Sequence, residues 1–176
     1  MLKQIKFKNY KSFVEETTFS FEKSKLEILD DKNTSDGILK GAAFYGSNAA
    51  GKTNAINAIS ILLDLLFKDG NQVNPGAQIT LFSHAKTASF EYTFDVEGNE
   101  IVYYFEVDRN NKFPKERLKL NGDICLNRLL NSAESFVTEN KDYNADDVDE
   151  KTLFLRNIYF NTKFSSYPIL AKWLND

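Results

Sequence analysis

Apolar and polar residues alternate almost from the first position. In "LKQIKFKNYKSF" Ile5 and Phe7 share one face, and "TTFSFE" resumes the alternation with Phe19 and Phe21. A period of two is the mark of a half-buried strand, so two strands around a turn are expected. The longest alternating stretch, "ASFEYTFDVEGNEIVYYFEVD", runs on both sides of Gly98-Asn99 and reads as a β-hairpin. "RLKLNGDICL" continues the β pattern and bends at Asn121-Gly122, a second strong turn signal. In the middle of the chain the period changes. Ala55, Ile56, Ile59, Leu62, Leu63 and Leu66 recur at helical spacing, and Ile61, Leu65 and Phe67 widen the stripe. This predicts a helix buried on much of its circumference, broken by Lys68 and Asp69, with Gly70 just beyond its end. "TLFLRNIYF" and "YPILAKWLND" predict two closing helices, whereas residues 30–37, "GNQVNPGAQ" and the acidic segment 139–151 predict loops. The pattern as a whole is α/β, with an antiparallel sheet beside a helix-bearing core.

The central helix is entered through Gly46-Ser47-Asn48-Ala49-Ala50-Gly51-Lys52-Thr53, the Gly-x-x-x-x-Gly-Lys-Ser/Thr spacing of a phosphate-binding loop. The apolar run Ala42-Ala43-Phe44-Tyr45 precedes it, so strand, loop and helix are expected in that order. Each fixed residue has a task. Gly46 and Gly51 permit turns in which successive N–H groups face phosphate oxygens. Lys52 is placed to reach the β and γ phosphates, and the Thr53 hydroxyl to ligate magnesium, while the helix N-terminus adds partial positive charge. This set recognises a triphosphate and does not read the base.

Composition narrows the remaining chemistry. With 176 residues and 42% hydrophobic content, the chain fits one globular domain. Its 22 basic and 25 acidic residues give a net charge of −3, which provides no global basic field for nucleic acid. Lys3, Lys6, Lys8 and Lys11 concentrate basic charge at the N-terminus, and pattern alone makes them a solvated strand face. His84 is the single histidine and Cys125 the single cysteine, so neither builds a zinc site or a nucleophile–base pair. The 15 Phe and 8 Tyr fall at strand and helix periods and are assigned to the core. Asp142, Asn144 and Asp146 have the spacing that opens a calcium loop, but Asp147 and Leu153 stand where Gly and Glu are required. A lone cysteine, a charged N-terminus and the lack of a bilayer-length apolar run suggest a cytoplasmic protein without membrane association.

Hydrolysis needs more than a phosphate loop. A carboxylate at the end of a second apolar strand usually supports magnesium, and a further group orients water. Asp64 lies inside the helix, and the other acidic strand ends belong to antiparallel segments. The Asn-Lys-x-Asp guanine motif is also absent, since Asn140-Lys141-Asp142-Tyr143 has the spacing wrong.

Asn9-Tyr10-Lys11-Ser12-Phe13, followed by Gly46-x-Asn48 and the Lys52-Thr53-Asn54 run, resembles the start of ATPases of the SMC, RecF and OLD type, a branch of the ABC ATPases. "KERLKLNG" and "TLFLRN" also resemble the arm of AAA-type ATPases in that branch, including proteins of bacterial phage-defence systems. The resemblance spans nearly the whole chain but only the family's N-terminal portion, because no Ser-Gly pair of the ABC signature occurs. It implies a P-loop NTPase core, the N-terminal part of an ABC-type head, with an antiparallel β-hairpin arm and C-terminal helices. On that basis residues 1–176 are expected to form an incomplete head: nucleotide-binding strands, loop and helix over 1–70, the β arm over 88–126, and a helical segment over 150–176. It further implies ATP and Mg²⁺ as ligands, Lys11 beside the phosphates, and Asn48 and Asn54 within the ATP-binding loop. Partners implied are the C-terminal portion of the ATPase, a second head in a homodimer, and an effector protein or DNA. The resemblance does not place the family's Q-loop glutamine, since Gln72 and Gln78 both sit in irregular sequence. The rival reading is a P-loop scaffold that does not hydrolyse nucleotide and acts as a protein-interaction module. A small-molecule kinase would require an acceptor-site base and an arginine lid, and neither is found.

Overall fold

The structure, a computed structural model, describes residues 1–23, 32–68, 73–136, 143–162, 164 and 166–175. Eight strands form one antiparallel sheet. They are β1 (Leu2–Lys8), β2 (Thr17–Ser20), β5 (Thr87–Val96), β6 (Asn99–Asp108), β7 (Lys115–Leu120), β8 (Asp123–Leu129), β9 (Ser132–Ser135) and β10 (Tyr143–Asp146), in the order β10-β9-β8-β7-β6-β5-β1-β2. A two-stranded hairpin, β3 (Thr34–Ser35) and β4 (Ile38–Leu39), adjoins the chain just after β2, where Ile38 bridges Glu22 and the Leu39 N–H donates to the Phe21 carbonyl at 2.7 Å. Three helices complete the α/β fold: α1 (Lys52–Phe67), α2 (Phe154–Thr162) and α3 (Pro168–Asn175).

The alternation seen in the sequence becomes the two faces of the sheet. Ile5, Phe7, Phe90, Tyr92, Ile101, Tyr103, Phe105 and Leu118 point into one core. Phe90 stacks on Phe105 with ring centroids 5.0 Å apart, and Trp173 of α3 lies 5.3 Å from Phe94, so the closing helix is anchored on aromatic rings. The Tyr92 hydroxyl donates to the Ala58 carbonyl at 2.6 Å, which fastens the middle of α1 to β5. At its C-terminal end α1 would leave carbonyls unpaired. The Arg156 guanidinium of α2 supplies donors to the Leu65, Leu66 and Lys68 carbonyls.

The α2 helix is itself held by a buried ion pair. Glu116 Oε1 accepts the Leu155 N–H and the Tyr103 hydroxyl, and Oε2 accepts the Phe154 N–H, each at 2.7 Å. Arg128 lies 3.7 Å from Oε2 and donates to the Leu130, Thr152 and Asp149 carbonyls. Burial pushes the Glu116 carboxyl up from its usual range, although all these donors pull the other way.

Several expectations are corrected. Residues 42–45 form no strand: Ala42 and Ala43 are exposed and Tyr45 is 92% exposed, so the segment entering the phosphate loop pairs with nothing among the described residues. The α1 stripe is narrower than predicted. It buries Ala55, Ala58, Ile61, Leu62 and Leu66, but leaves Ile56, Leu63 and Phe67 exposed, because only one side of the helix meets the sheet. The acidic segment expected as a loop contains β10, an edge strand held by backbone pairing to β9. Residues 34–39, partly expected as loop, form the β3-β4 hairpin, and "GAQ" is a 3₁₀ turn. Gly70, Gln72, Asn140, Lys141 and Asp142 lie outside the described residues.

Candidate functional site

Residues 46–50 are exposed and lead into α1, whose N-cap Gly51 has φ 89° and ψ 4°. That left-handed conformation suits glycine, and Ala49 shares it at φ 63°. No side chain caps the helix and its first turn carries no acidic residue. The N-terminal N–H groups and the positive end of the helix dipole therefore face outward without a competing carboxylate, which is the electrostatics an anion requires.

Lys52 is folded back into the loop. Its ammonium donates to the Ser47 carbonyl at 2.7 Å and to the Gly46 carbonyl at 2.9 Å, so the loop encloses its own cation. Thr53, one residue on, is exposed. Among the described residues no carboxylate bonds to Lys52 or Thr53, and no group of three or more His, Cys, Asp or Glu could hold a metal ion. Asp64 sits three turns down α1, about 18 Å along its axis, and pairs with Lys68.

The turn Asn9–Phe13 packs directly on this loop. Asn54 Nδ2 donates to Ser12 Oγ at 2.9 Å. A Cβ built on Gly51 would stand 3.3 Å from Ser12 Oγ and 3.4 Å from the Phe13 ring, so glycine is needed there for space as well as for φ. The turn owes its shape to Asn9 (φ 58°) and Lys11 (φ 49°), and to Tyr10, whose backbone pairs with Phe13. From beneath, the Lys11 N–H donates to the Gln78 carbonyl, the Thr80 N–H to the Asn9 carbonyl, and the Tyr10 hydroxyl to Gln78 Oε1 at 2.6 Å. Burial, and then the charge of Asp64, push the Tyr10 hydroxyl far above its ordinary pKa, so it remains a donor.

The structure thus brings the two sequence motifs together, through Ser12 and Phe13. The Lys11 ammonium lies over the Tyr10 ring, 5.6 Å from its centroid. Ser12 belongs to the same five-residue motif, but nothing in its residue type marked it as the contact. Gln78, one of two open glutamines, underlies the turn. Its backbone carbonyl does half of that work, which no sequence pattern reports. His84 is exposed and Cys125 buried.

An α/β fold whose principal helix opens on a Gly-x-x-x-x-Gly-Lys-Thr loop is that of a P-loop nucleotide-binding domain. Within that class, the family described as "AAA domain, putative AbiEii toxin, Type IV TA system" matches residues 42–166, and the chain belongs to it. Membership carries an ATP-binding, ATPase-like function at the level of the family. No curated protein matches the sequence. Among the described residues no helix is long and apolar enough to cross a membrane.

Proposed function

We propose that the chain is the ATP-binding N-terminal part of an SMC/RecF/OLD-like ATPase of the cytoplasm, which, when complete, hydrolyses ATP between two heads and drives a DNA-processing or phage-defence effector. The observation that carries this reading is the Gly46–Thr53 loop at an uncapped, carboxylate-free helix N-terminus, latched by Asn54 to the Asn9–Phe13 turn. The residues fit Mg²⁺-ATP. Loop N–H groups from Ser47 to Gly51 would face the phosphates, Lys52 would exchange its two carbonyls for phosphate oxygens, and the exposed Thr53 hydroxyl would hold the magnesium. Lys11, which lies over the Tyr10 ring, would reach toward the same phosphates. Magnesium would supply charge neutralisation on the triphosphate.

Among the described residues none near the loop is placed to orient an attacking water, so these residues bind ATP and scarcely turn it over; a second head and the downstream carboxylate complete the site. Titration with labelled ATP and GTP, with and without magnesium, tests this. ATP should bind in the presence of magnesium, and Lys52→Ala should weaken binding by about a hundredfold or more while leaving the circular dichroism spectrum intact. Unchanged affinity in the folded variant refutes the nucleotide site. Hydrolysis linear in protein concentration and abolished by Lys52→Ala refutes the two-head requirement. The rival reading, a non-hydrolysing interaction module, is favoured by the exposed Tyr45 beside the loop and Ile56 one turn along α1, and predicts partner binding indifferent to ATP.

A further inference from the structure

The sheet face turned away from α1 carries a charge pattern that the nucleotide site does not use. On β7 the outward residues are Lys115, Arg117 and Lys119, spaced about 6.8 Å apart as alternate strand residues are. On β1 they are Lys6 and Lys8, three strands and about 14 Å away. Register fixes what lies between them. Tyr104 stands opposite Arg117 and Glu91, Val102 opposite Lys119, and Glu106 opposite Lys115. Glu91 is paired with Lys6 at 3.0 Å and Glu106 with Lys115 at 3.1 Å, and the Tyr104 hydroxyl donates to Glu106 Oε1 at 2.6 Å. Lys8, Arg117 and Lys119 have no carboxylate partner among the described residues. The face is therefore locally positive on a chain whose net charge is −3.

Its centre holds one aromatic ring, Tyr104. Tyr10, Tyr92, Tyr103 and Tyr159 each pack against other rings, whereas no aromatic ring contacts half-buried Tyr104 among the described residues. Tyr104, Val102, Glu91, Arg117 and Lys119 line a shallow cavity of about 170 Å³. An unstacked ring beside apolar surface, bordered by unpaired cations at strand spacing, suits a base with its phosphates to either side. A duplex hides its base faces and could not use the ring.

We propose that this face binds single-stranded nucleic acid, with Lys8, Arg117 and Lys119 on phosphates and Tyr104 stacked on a base. Binding does not require ATP, because α1 and its loop lie across the sheet. Fluorescence anisotropy of the whole chain with labelled oligo-dT tests it. Affinity should fall with salt at a log–log slope of roughly −2, given about 0.7 per phosphate contact on a single strand. Arg117→Glu with Lys119→Glu should weaken binding at least tenfold and flatten that slope. Tyr104→Ala should weaken binding about tenfold at unchanged slope, with Tyr104→Phe close to wild type. Lys52→Ala should leave oligo-dT binding intact, which separates this proposal from the ATP site. The proposal is overturned by absence of binding at low salt, by an equal loss in Lys151→Glu on the helical side, or by duplex or polyglutamate binding as tightly as oligo-dT.

Discussion

Glu116→Ala removes the acceptor of three hydrogen bonds and the counter-charge of Arg128 at once. Breaking a buried pair by deleting one partner costs about 3–5 kcal/mol. Arg128 keeps three carbonyls, which favours the lower half of that range, but the Tyr103 hydroxyl and the first α2 N–H groups lose their acceptor, at about 1–3 kcal/mol for a buried orphan. A loss of about 4 kcal/mol results, against a typical total of about 5–15. For a chain of this size it lowers the melting temperature by about 8–16 °C. Glu116→Gln, which retains one acceptor oxygen, should lose about half as much. Glu116→Leu combined with Arg128→Met should be milder than Glu116→Ala, because no charge is stranded. Urea and thermal denaturation measure the loss. Amide exchange in Glu116→Ala should quicken first in α2 and then at the C-terminal end of α1, which Arg156 caps from α2. A loss below about 1 kcal/mol, or a double variant worse than the single, would refute the reasoning.

Gly51→Ala forces a left-handed residue against Ser12 and Phe13, so ATP affinity should drop by an order of magnitude in titrations, with about 1–2 kcal/mol of stability lost in urea melts. Gly76→Ala places a Cβ 2.5 Å from the Asp108 carbonyl oxygen, backbone against backbone; chemical denaturation should show about 2–3 kcal/mol lost, more than at any open-space glycine such as Gly98. Asp149 is held below its ordinary pKa by the Thr152 hydroxyl and then the Lys151 N–H. It therefore stabilises the fold above the unfolded value of about 3.9, and that contribution disappears as pH falls through the depressed value. Melting temperature against pH should show a shallower acid limb in Asp149→Asn.

What was legible in the sequence was whatever a local period or a fixed spacing encodes. The β5-β6 and β7-β8 pairs followed from alternation. Asn121-Gly122 turns at φ 51° and 91°, as its residues demand. The first hairpin turns one residue earlier than Gly98-Asn99 suggested, with Glu97 itself taking φ 54°. The phosphate loop was readable from eight residues. Long-range pairing was not. β10 is too polar to announce itself and exists because β9 offers an edge. Glu116 falls in the strict alternation of "KERLKL", yet lands inward, since its partners come from β6, β8 and α2. Ala42–Tyr45 looks like a strand but has no backbone partner among the described residues. At the site, the loop and the Asn9–Phe13 motif were visible separately, but a latch between residues 42 positions apart leaves no trace in a single sequence.

Lys52 braces the loop that it is proposed to serve, since its ammonium ties the Gly46 and Ser47 carbonyls together. On the proposed reading, nucleotide capture would be an exchange, in which the two carbonyl contacts are surrendered as phosphate contacts form, and a measured affinity would report only the difference. Removing the lysine then changes both sides of the exchange. It would delete the proposed phosphate contact and also free the loop, whose amides should exchange faster than in the wild type. The ammonium proposed to grip the phosphates thus also sets how tightly the loop holds its own shape.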